Sequence, residues 1–297
     1  MVFAKKTLAL ASMAFLLACA LLALTACASQ PGASASTSSG SAASEPDAST
    51  EPSPTAAATA PSSETISSAA AATAPSSEAT EEPSSQDSSS AKPSILYQGH
   101  ASVRIVTPEG KVIYIDPYAG EDEWYDLAAD LILITHGHYD HSGLERIANR
   151  NADCRVITQV EALAEGEHSA IDLGFAKVTP VQAGFNDNHD VAECVGYVIE
   201  LTDGKKVYLS GDTSTTDDMR NGVLADMGID YAFWCADGVY NMGNEEAAAA
   251  AAMVGAAHNI PYHNSPADSG NTFDVEAAHA FNAPNAMIVQ PGEEIDL

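Results

Sequence analysis

The chain has 297 residues and carries 12 Lys and Arg against 41 Asp and Glu, a formal charge of −29 with histidine neutral. A polypeptide this acidic attracts cations and repels polyanions. No nucleic-acid partner is expected, because that affinity comes largely from Lys and Arg neutralising phosphates.

In chain order, residues 1–27 read as an export signal to be set aside before any fold is considered. Lys5 and Lys6 form a positive start, and Leu8–Leu24 is an almost unbroken apolar run. Leu24-Thr25-Ala26-Cys27 then brings small residues and a cysteine to the cleavage point. The spacing resembles a bacterial lipobox, which implies diacylglycerol on Cys27 and a membrane partner through that anchor. An ordinary signal peptide or an uncleaved helical anchor are the other readings. All three place the rest of the chain outside the cytoplasm, and the first places it on the outer face of the cell membrane.

Residues 28–93 are built from Ser, Ala, Thr, Pro and Glu with almost no large apolar side chain. Such a segment cannot bury enough surface to offset its ordering entropy, so it reads as a flexible tether. Residues 94–297 remain, a length that suits one compact domain. In them, 9 Lys and Arg stand against 33 Asp and Glu. Cys154, Cys194 and Cys235 are widely spaced and odd in number, so they suggest small buried side chains and no disulfide framework.

The domain opens with short strands at Ile95–Gln98, Ser102–Thr107 and Lys111–Asp116, the last two joined by a Thr107-Pro108-Glu109-Gly110 turn. Leu131–Thr135 is continuously apolar and predicts a strand covered on both faces. Ser142–Asn149 predicts a helix, with Ser142 and Glu145 as a capping box. Further strands are expected at Arg155–Thr158, Ala176–Gln182, Cys194–Leu201, Lys206–Ser210, Ile229–Cys235 and Ala286–Gln290, and a short helix from Val160. Asn244–Ala257, capped by Asn244 and rich in alanine, is the clearest helix, and Phe273–Asn282 the last one. Two sheets packed face to face and covered by helices would bury all of these strands.

Directly after the Leu131–Thr135 run comes His136-Gly137-His138-Tyr139-Asp140-His141. His136, His138 and Asp140 are two apart, so an extended chain aims them one way while His141 turns aside. Neutral imidazole and carboxylate suit divalent transition metals. The HxHxDH pattern resembles the signature of the metallo-β-lactamase superfamily. Ser210-Gly211-Asp212-Thr213 resembles its bridging aspartate, Ile260-Pro261-Tyr262-His263 its final histidine, and His189 the histidine between them. Gly99-His100-Ala101-Ser102, the Asn186-Asp187-Asn188-His189 stretch, Val239-Tyr240-Asn241-Met242-Gly243 and Gln290-Pro291-Gly292 are similar to the branch that contains ascorbate-6-phosphate lactonase.

The resemblance covers residues 95–297 and implies an α+β fold, a four-layer αβ/βα sandwich with its site along one edge. It implies a metal-dependent hydrolase holding two divalent ions, Zn²⁺ first, with Mn²⁺ or Fe²⁺ compatible. His136, His138 and His189 would hold one ion, Asp140, His141 and His263 the other, and Asp212 would bridge them. Asp140 and Asp212 are the catalytic candidates, directing an activated hydroxide onto a small ester, lactone or phosphodiester. His100 reads either as a residue that supports the metal ligands or touches substrate, or as a hydrogen-bonded core histidine. Tyr240 and Asn241 line the cleft or are ordinary loop polarity. His168, His258 and His279 read as bystanders. A surface-tethered, metal-bearing binding protein without turnover is the alternative function.

Overall fold

The computed structural model describes residues 92–297; the expected export signal, Cys27 and most of the expected tether lie outside the described residues. In chain order the strands and helices are β1 (Ser94–Gly99), β2 (Ser102–Val106), β3 (Val112–Ile115), β4 (Ala129–Leu133), β5 (Arg150–Ile157), α1 (Gln159–Glu165), β6 (Ile171–Asp172), β7 (Ala176–Gln182), β8 (Val195–Leu201), β9 (Lys206–Leu209), α2 (Asp217–Arg220), α3 (Val223–Met227), β10 (Tyr231–Cys235), α4 (Asn244–Val254), β11 (His258–Tyr262), α5 (Val275–Ala280) and β12 (Glu294–Asp296).

They form two six-stranded mixed sheets, ordered β12-β1-β2-β3-β4-β5 and β11-β10-β9-β8-β7-β6. Strand alternation explains why both faces of the first sheet are apolar. Ile113, Ile115, Leu131 and Leu133 point into the large core shared with the second sheet. Val112, Tyr114, Ile132 and Ile134 point the other way, into a smaller cluster closed by Tyr125 and Ile147. On the second sheet, α2 packs on β7 and α4 on β10. This is the expected α+β sandwich.

The parallel strands decide where a site can form. β3 runs parallel to β4, and β9 to β10 and β11. Ligands in such sheets collect beyond the carboxyl ends of parallel strands. Asp116, the His136–His141 loop, Asp212, the loop after Cys235 and His263 all leave those ends. The β7–β8 connection carrying His189 joins them, because Gln182 pairs with Val195 and Tyr197 with Leu209. The two sheets are stitched along this edge. Val195 N–H donates to Thr135 O (2.9 Å), the Tyr197 hydroxyl to Ile134 O (2.9 Å) and His263 N–H to His100 O (2.8 Å).

Three expectations are corrected. Ser142–Asn149 is no α-helix: only Leu144–Arg146 forms a 3₁₀ turn. The Ser142 hydroxyl is taken by His138 O (2.9 Å), and Gly143 N–H is drawn to Pro117 O (2.9 Å), so the capping box never forms. Ala286–Gln290 is not a strand; it keeps a single bridge, Ala286 to Asn259, while the last strand, β12, pairs with β1. The cap of α4 is Gly243, and the Asn244 amide instead donates to Ala277 O (2.8 Å).

Gly211 sits at φ 59, and a Cβ there would meet Val195 O at 2.8 Å and Thr135 Cβ at 3.1 Å. Only glycine allows the chain to turn Asp212 inward so close to the facing sheet. Gly211→Ala is expected to lower the urea unfolding free energy by about 1–2 kcal/mol from the left-handed conformation alone. Unchanged stability in urea titration would show that this turn is not under the stated constraint.

Candidate metal centre

The His136–His141 loop is shaped by Asp116, which ends β3 at φ 46. One carboxylate oxygen accepts Thr135 N–H (2.8 Å), and the other accepts the Thr135 hydroxyl (2.7 Å) and His141 Nδ1–H (2.9 Å). With Nδ1 so occupied, His141 presents Nε2 to the centre, as a histidine ligand oriented by a carboxylate does. His189 is set the same way: Asn186 Oδ1 accepts both its backbone N–H (3.0 Å) and its Nδ1–H (3.1 Å). His263, at φ 39, ends β11 with Nδ1 3.4 Å from Asp237 Oδ2, close enough for charge attraction but not aligned as a hydrogen bond.

Asp212 lies in the middle. Its Oδ1 is 3.3 Å from His141 Nε2, and its Oδ2 is 3.3 Å from both His189 Nε2 and His263 Nε2. Asn241 Nδ2 donates to that Oδ2 (2.9 Å) and to Asp237 Oδ2 (2.7 Å). His136, His138 and His189 converge as one group, with ligand atoms all within 4.8 Å of one another. His100, Asp140, His141 and His263 converge in a second, in which the His100 Nε2–H is already given to Asp140, and Asp212 joins His136 and His141 in a third.

Four of these buried atoms have no hydrogen-bond partner: His136 Nε2, His141 Nε2, His263 Nε2 and Asp212 Oδ1. Buried polar atoms without partners are rare, so four facing one another require an explanation. Divalent cations supply it. Two ligand atoms each about 2.0–2.2 Å from a tetrahedral ion stand about 3.3–3.6 Å apart. The 3.3 Å separations around Asp212 match that spacing. The donor set therefore fits two divalent ions.

Electrostatics agree. Burial, and then the neighbouring His141, pushes His136 down to about 2, so it stays the neutral imidazole that a metal needs. Burial and then His263 hold His100 near 4. Burial opposes charge on His141 and His263, yet Asp212 outweighs it and raises both, with Asp116 adding to the effect at His141. Burial also opposes charge on Asp212, but His263 and His141 hold its carboxyl well below the usual range. At Asp140, burial is outweighed by the hydrogen bond from His100, and the carboxyl is held low. Protons on His141 and His263 thus stand where cationic charge is wanted.

The structure brings His136, His138, Asp140, His141, His189, Asp212 and His263 together at one edge. Of the two roles considered for His100 at the site, the structure places it behind the ligands and away from substrate: it is wholly buried and lines neither cavity. Its Nε2–H donates to Asp140 Oδ2 (2.9 Å) and its ring lies 3.7 Å from that of His263, so it braces both. Tyr240 lines the cavity, whereas Asn241 turns inward to Asp212. The bystanders stay apart: His168 pairs with Asp218, His258 stacks on Tyr231 and His279 bonds Val275 O. Asp116, Asn186 and Asp237 were missed by sequence reasoning. Asp116 and Asp237 closely follow buried apolar strands, the position that marks the other site carboxylate, Asp212, and that signal could have found them.

Residues 94–263 match the family described as Beta-lactamase superfamily domain. A UPF0173 metal-dependent hydrolase of Cupriavidus taiwanensis is 32% identical over 250 residues, covering 69% of this chain and 87% of that protein. Another, of Geobacillus thermodenitrificans, is 33% identical over 233 residues, covering 68% and 99%. The structure of a metallo hydrolase from the archaeon Ignicoccus hospitalis superimposes with a TM-score of 0.51 at 22% identity, over 69% of this chain and 98% of that one. At that identity the likeness is one of fold.

Asp116→Asn keeps size but places an amide against three donors. It is expected to weaken metal binding about 10–100-fold in chelator-competition titrations. It should also cost about 1–3 kcal/mol of stability. Unchanged affinity would rule out the orienting role. The metal-stripped protein has a defined pH response. Unfolded imidazoles titrate near 6.5, so His136 and His100, lowered in the fold, make stability fall as pH drops below 6.5 towards 4. His141 and His263, raised in the fold, contribute fully below 6.5 and lose that contribution as pH rises through their raised values. Asp140 and Asp212, lowered in the fold, lose theirs only as pH falls below the ordinary 3.8. Urea midpoints are therefore expected to peak near pH 6.5, with the alkaline decline abolished by metal. A monotonic profile would contradict this assignment.

Proposed function

Because the chain belongs to the metallo-β-lactamase superfamily, in the UPF0173 family of metal-dependent hydrolases, we propose that it hydrolyses a small ester, lactone or phosphodiester at this edge. The observation that carries the reading is the convergence of His136, His141, His263 and Asp212 atoms that have no partner within the protein. His136, His138 and His189 would hold one divalent ion and Asp140, His141 and His263 another, with Asp212 shared; zinc suits the imidazole-rich set best. When bound, such ions supply Lewis acidity and lower the pKa of water towards neutrality.

The side chains then divide the remaining work. A cavity of about 430 Å³ reaches Asp140, Asp212 and His263, room for a small substrate above the centre. Asn241 holds Asp212 Oδ2 and Asp237 in one orientation, so the shared carboxylate keeps its geometry while charge shifts. His100, neutral near pH 7, ties down Asp140 Oδ2 through Nε2–H. That leaves Asp140 Oδ1 to take a proton from water and pass it to the leaving oxygen. Tyr139 and Tyr240 wall the entrance.

Within the same proposal the domain works outside the cytoplasm, anchored through Cys27 and held off the membrane by residues 28–93. The support is the Lys5–Lys6 start, the apolar run to Leu24 and the residues before Cys27.

Purified protein is expected to hold about two metal ions per chain by elemental analysis. Chelation or His138→Ala should abolish turnover of a panel of esters, lactones and phosphodiesters, and metal added back should restore it only in the unmutated protein. Turnover surviving both treatments would remove the metal mechanism. Metal-loaded protein that turns over nothing yet retains ligands would favour a binding role.

A further inference from the structure

The floor of the cleft has been assigned, but its walls have not. The cavity over Asp140, Asp212 and His263 is bounded outward by Tyr139, Tyr240 and Asp268. Tyr139 is 66% exposed and Tyr240 38%, an unusual display of aromatic surface at a charged site. The Tyr240 hydroxyl donates to Asp268 Oδ2 (3.1 Å), and Tyr139 stands edge-on to Tyr118 with ring centres 5.9 Å apart. Both side chains are thereby tethered while much of their surface stays exposed at the cavity. Asn188 Nδ2 donates to Tyr240 O (3.3 Å), tying this wall to the loop of His189.

On the other side of His138 and His189 a second cavity, of about 510 Å³, is rimmed by Val160, Leu163, Asp190 and Glu193. No Lys or Arg lines either cavity among the described residues. Four of the basic side chains are paired elsewhere: Arg104 with Glu294, Lys111 with Asp130, Lys205 with Asp230 and Arg220 with Asp217. At the outer rim, beyond the residues assigned to the ions, a phosphate or carboxylate would face the Asp268 carboxylate with no guanidinium or ammonium beside it, whereas recognition of such groups away from a metal relies on Arg and Lys. A cation there meets two exposed tyrosine side chains and the Asp268 carboxylate, the residue types among which ammonium groups are bound.

Buried atoms turn this from a charged rim into a pocket with a floor. Asp212 and His263, both more than nine-tenths buried and each with a polar atom lacking a partner, open into the same cavity as Tyr240 and Asp268. The scissile group and a neighbouring substituent of one small molecule can therefore be held at once.

Resting on the hydrolase reading above, we propose that the cleft selects substrates carrying an ammonium group beside the scissile bond, held between Tyr139, Tyr240 and Asp268, and rejects those carrying an anion there. The specificity residues are Tyr139, Tyr240 and Asp268, none of which is placed among the metal ligands.

Three alcohols of one shape test it: choline, its uncharged isostere 3,3-dimethylbutanol, and the anionic isethionate. Binding to the metal-loaded full chain is read by calorimetry, and hydrolysis is read on the three acetate esters. Choline is expected to bind at least about tenfold more tightly than 3,3-dimethylbutanol, with isethionate weakest, and kcat/KM for the esters should follow the same order. Asp268→Asn and Tyr240→Leu should each lower the ratio of choline to 3,3-dimethylbutanol affinity about fivefold or more while leaving metal content unchanged. Comparable binding of all three alcohols, no binding of choline, or a choline preference that survives both substitutions would overturn the proposal. The two readings fail separately. Turnover of all three esters at one rate would overturn the cation preference and leave the hydrolase. Selective choline binding without turnover of any ester would support the cation pocket and count against hydrolysis.

Discussion

Asp212 is a buried carboxylate ringed by imidazole nitrogens that point at it without bonding well to it. Asn241 satisfies Oδ2, but Oδ1 and the facing His141 and His263 Nε2 atoms are left without hydrogen-bond partners. His141 and Asp212 leave atoms without partners at 3.3 Å, a distance better suited to two ligands of one ion than to a hydrogen bond. Burying such groups is costly unless they are paired or coordinate metals. The edge of the sandwich is built to keep this cluster from collapsing.

The supporting groups explain why it does not collapse. Asp116 and Asn186 each occupy the Nδ1 of a histidine, so His141 and His189 are compelled to offer Nε2. His100 fills the space behind Asp140 and His263, and its own carbonyl receives the N–H of His263. The turn at Gly211 lets Asp212 approach the facing sheet. Each device is a local constraint, yet every one joins segments far apart in the chain. Order in the centre therefore depends on the whole sandwich being packed, and the unpartnered atoms concentrate where function is expected.

The acidic composition takes on a second meaning at this edge. Charge of one sign spread over a surface can be read simply as solubility. Here several carboxylates, those of Asp190, Glu193 and Asp268, rim cavities that contain no basic side chain among the described residues, and two tyrosines stand beside Asp268. The cleft thus has a cation-seeking mouth above a floor designed to hold cations. The nearby segments that departed from expectation belong to the same edge. Ser142 gives its hydroxyl to His138 O, so the stretch after Asp140 becomes a short 3₁₀ turn that steadies the ligand loop.

Much of this was legible in the chain. Alternating and continuous apolar runs placed β7 to the residue and most other strands to within one or two, because burial on a pleated surface leaves a period of two in the sequence. Spacing within His136–His141 announced ligands, since residues two apart in extended chain share a direction. What the linear order could not contain was partnership across distance. His100 read as a core histidine or as a contact to ligands or substrate, with nothing in the sequence to choose, until folding placed it behind Asp140. Asp116 carried no motif until it was found 25 residues away from its histidine in sequence and 2.9 Å away in space. Local chemistry determined which side chains can ligate and where strands run; only three-dimensional packing decided which nitrogen each histidine presents, which carboxylates are braced and which face the open cleft, because those choices are hydrogen bonds between segments that meet solely in the folded state.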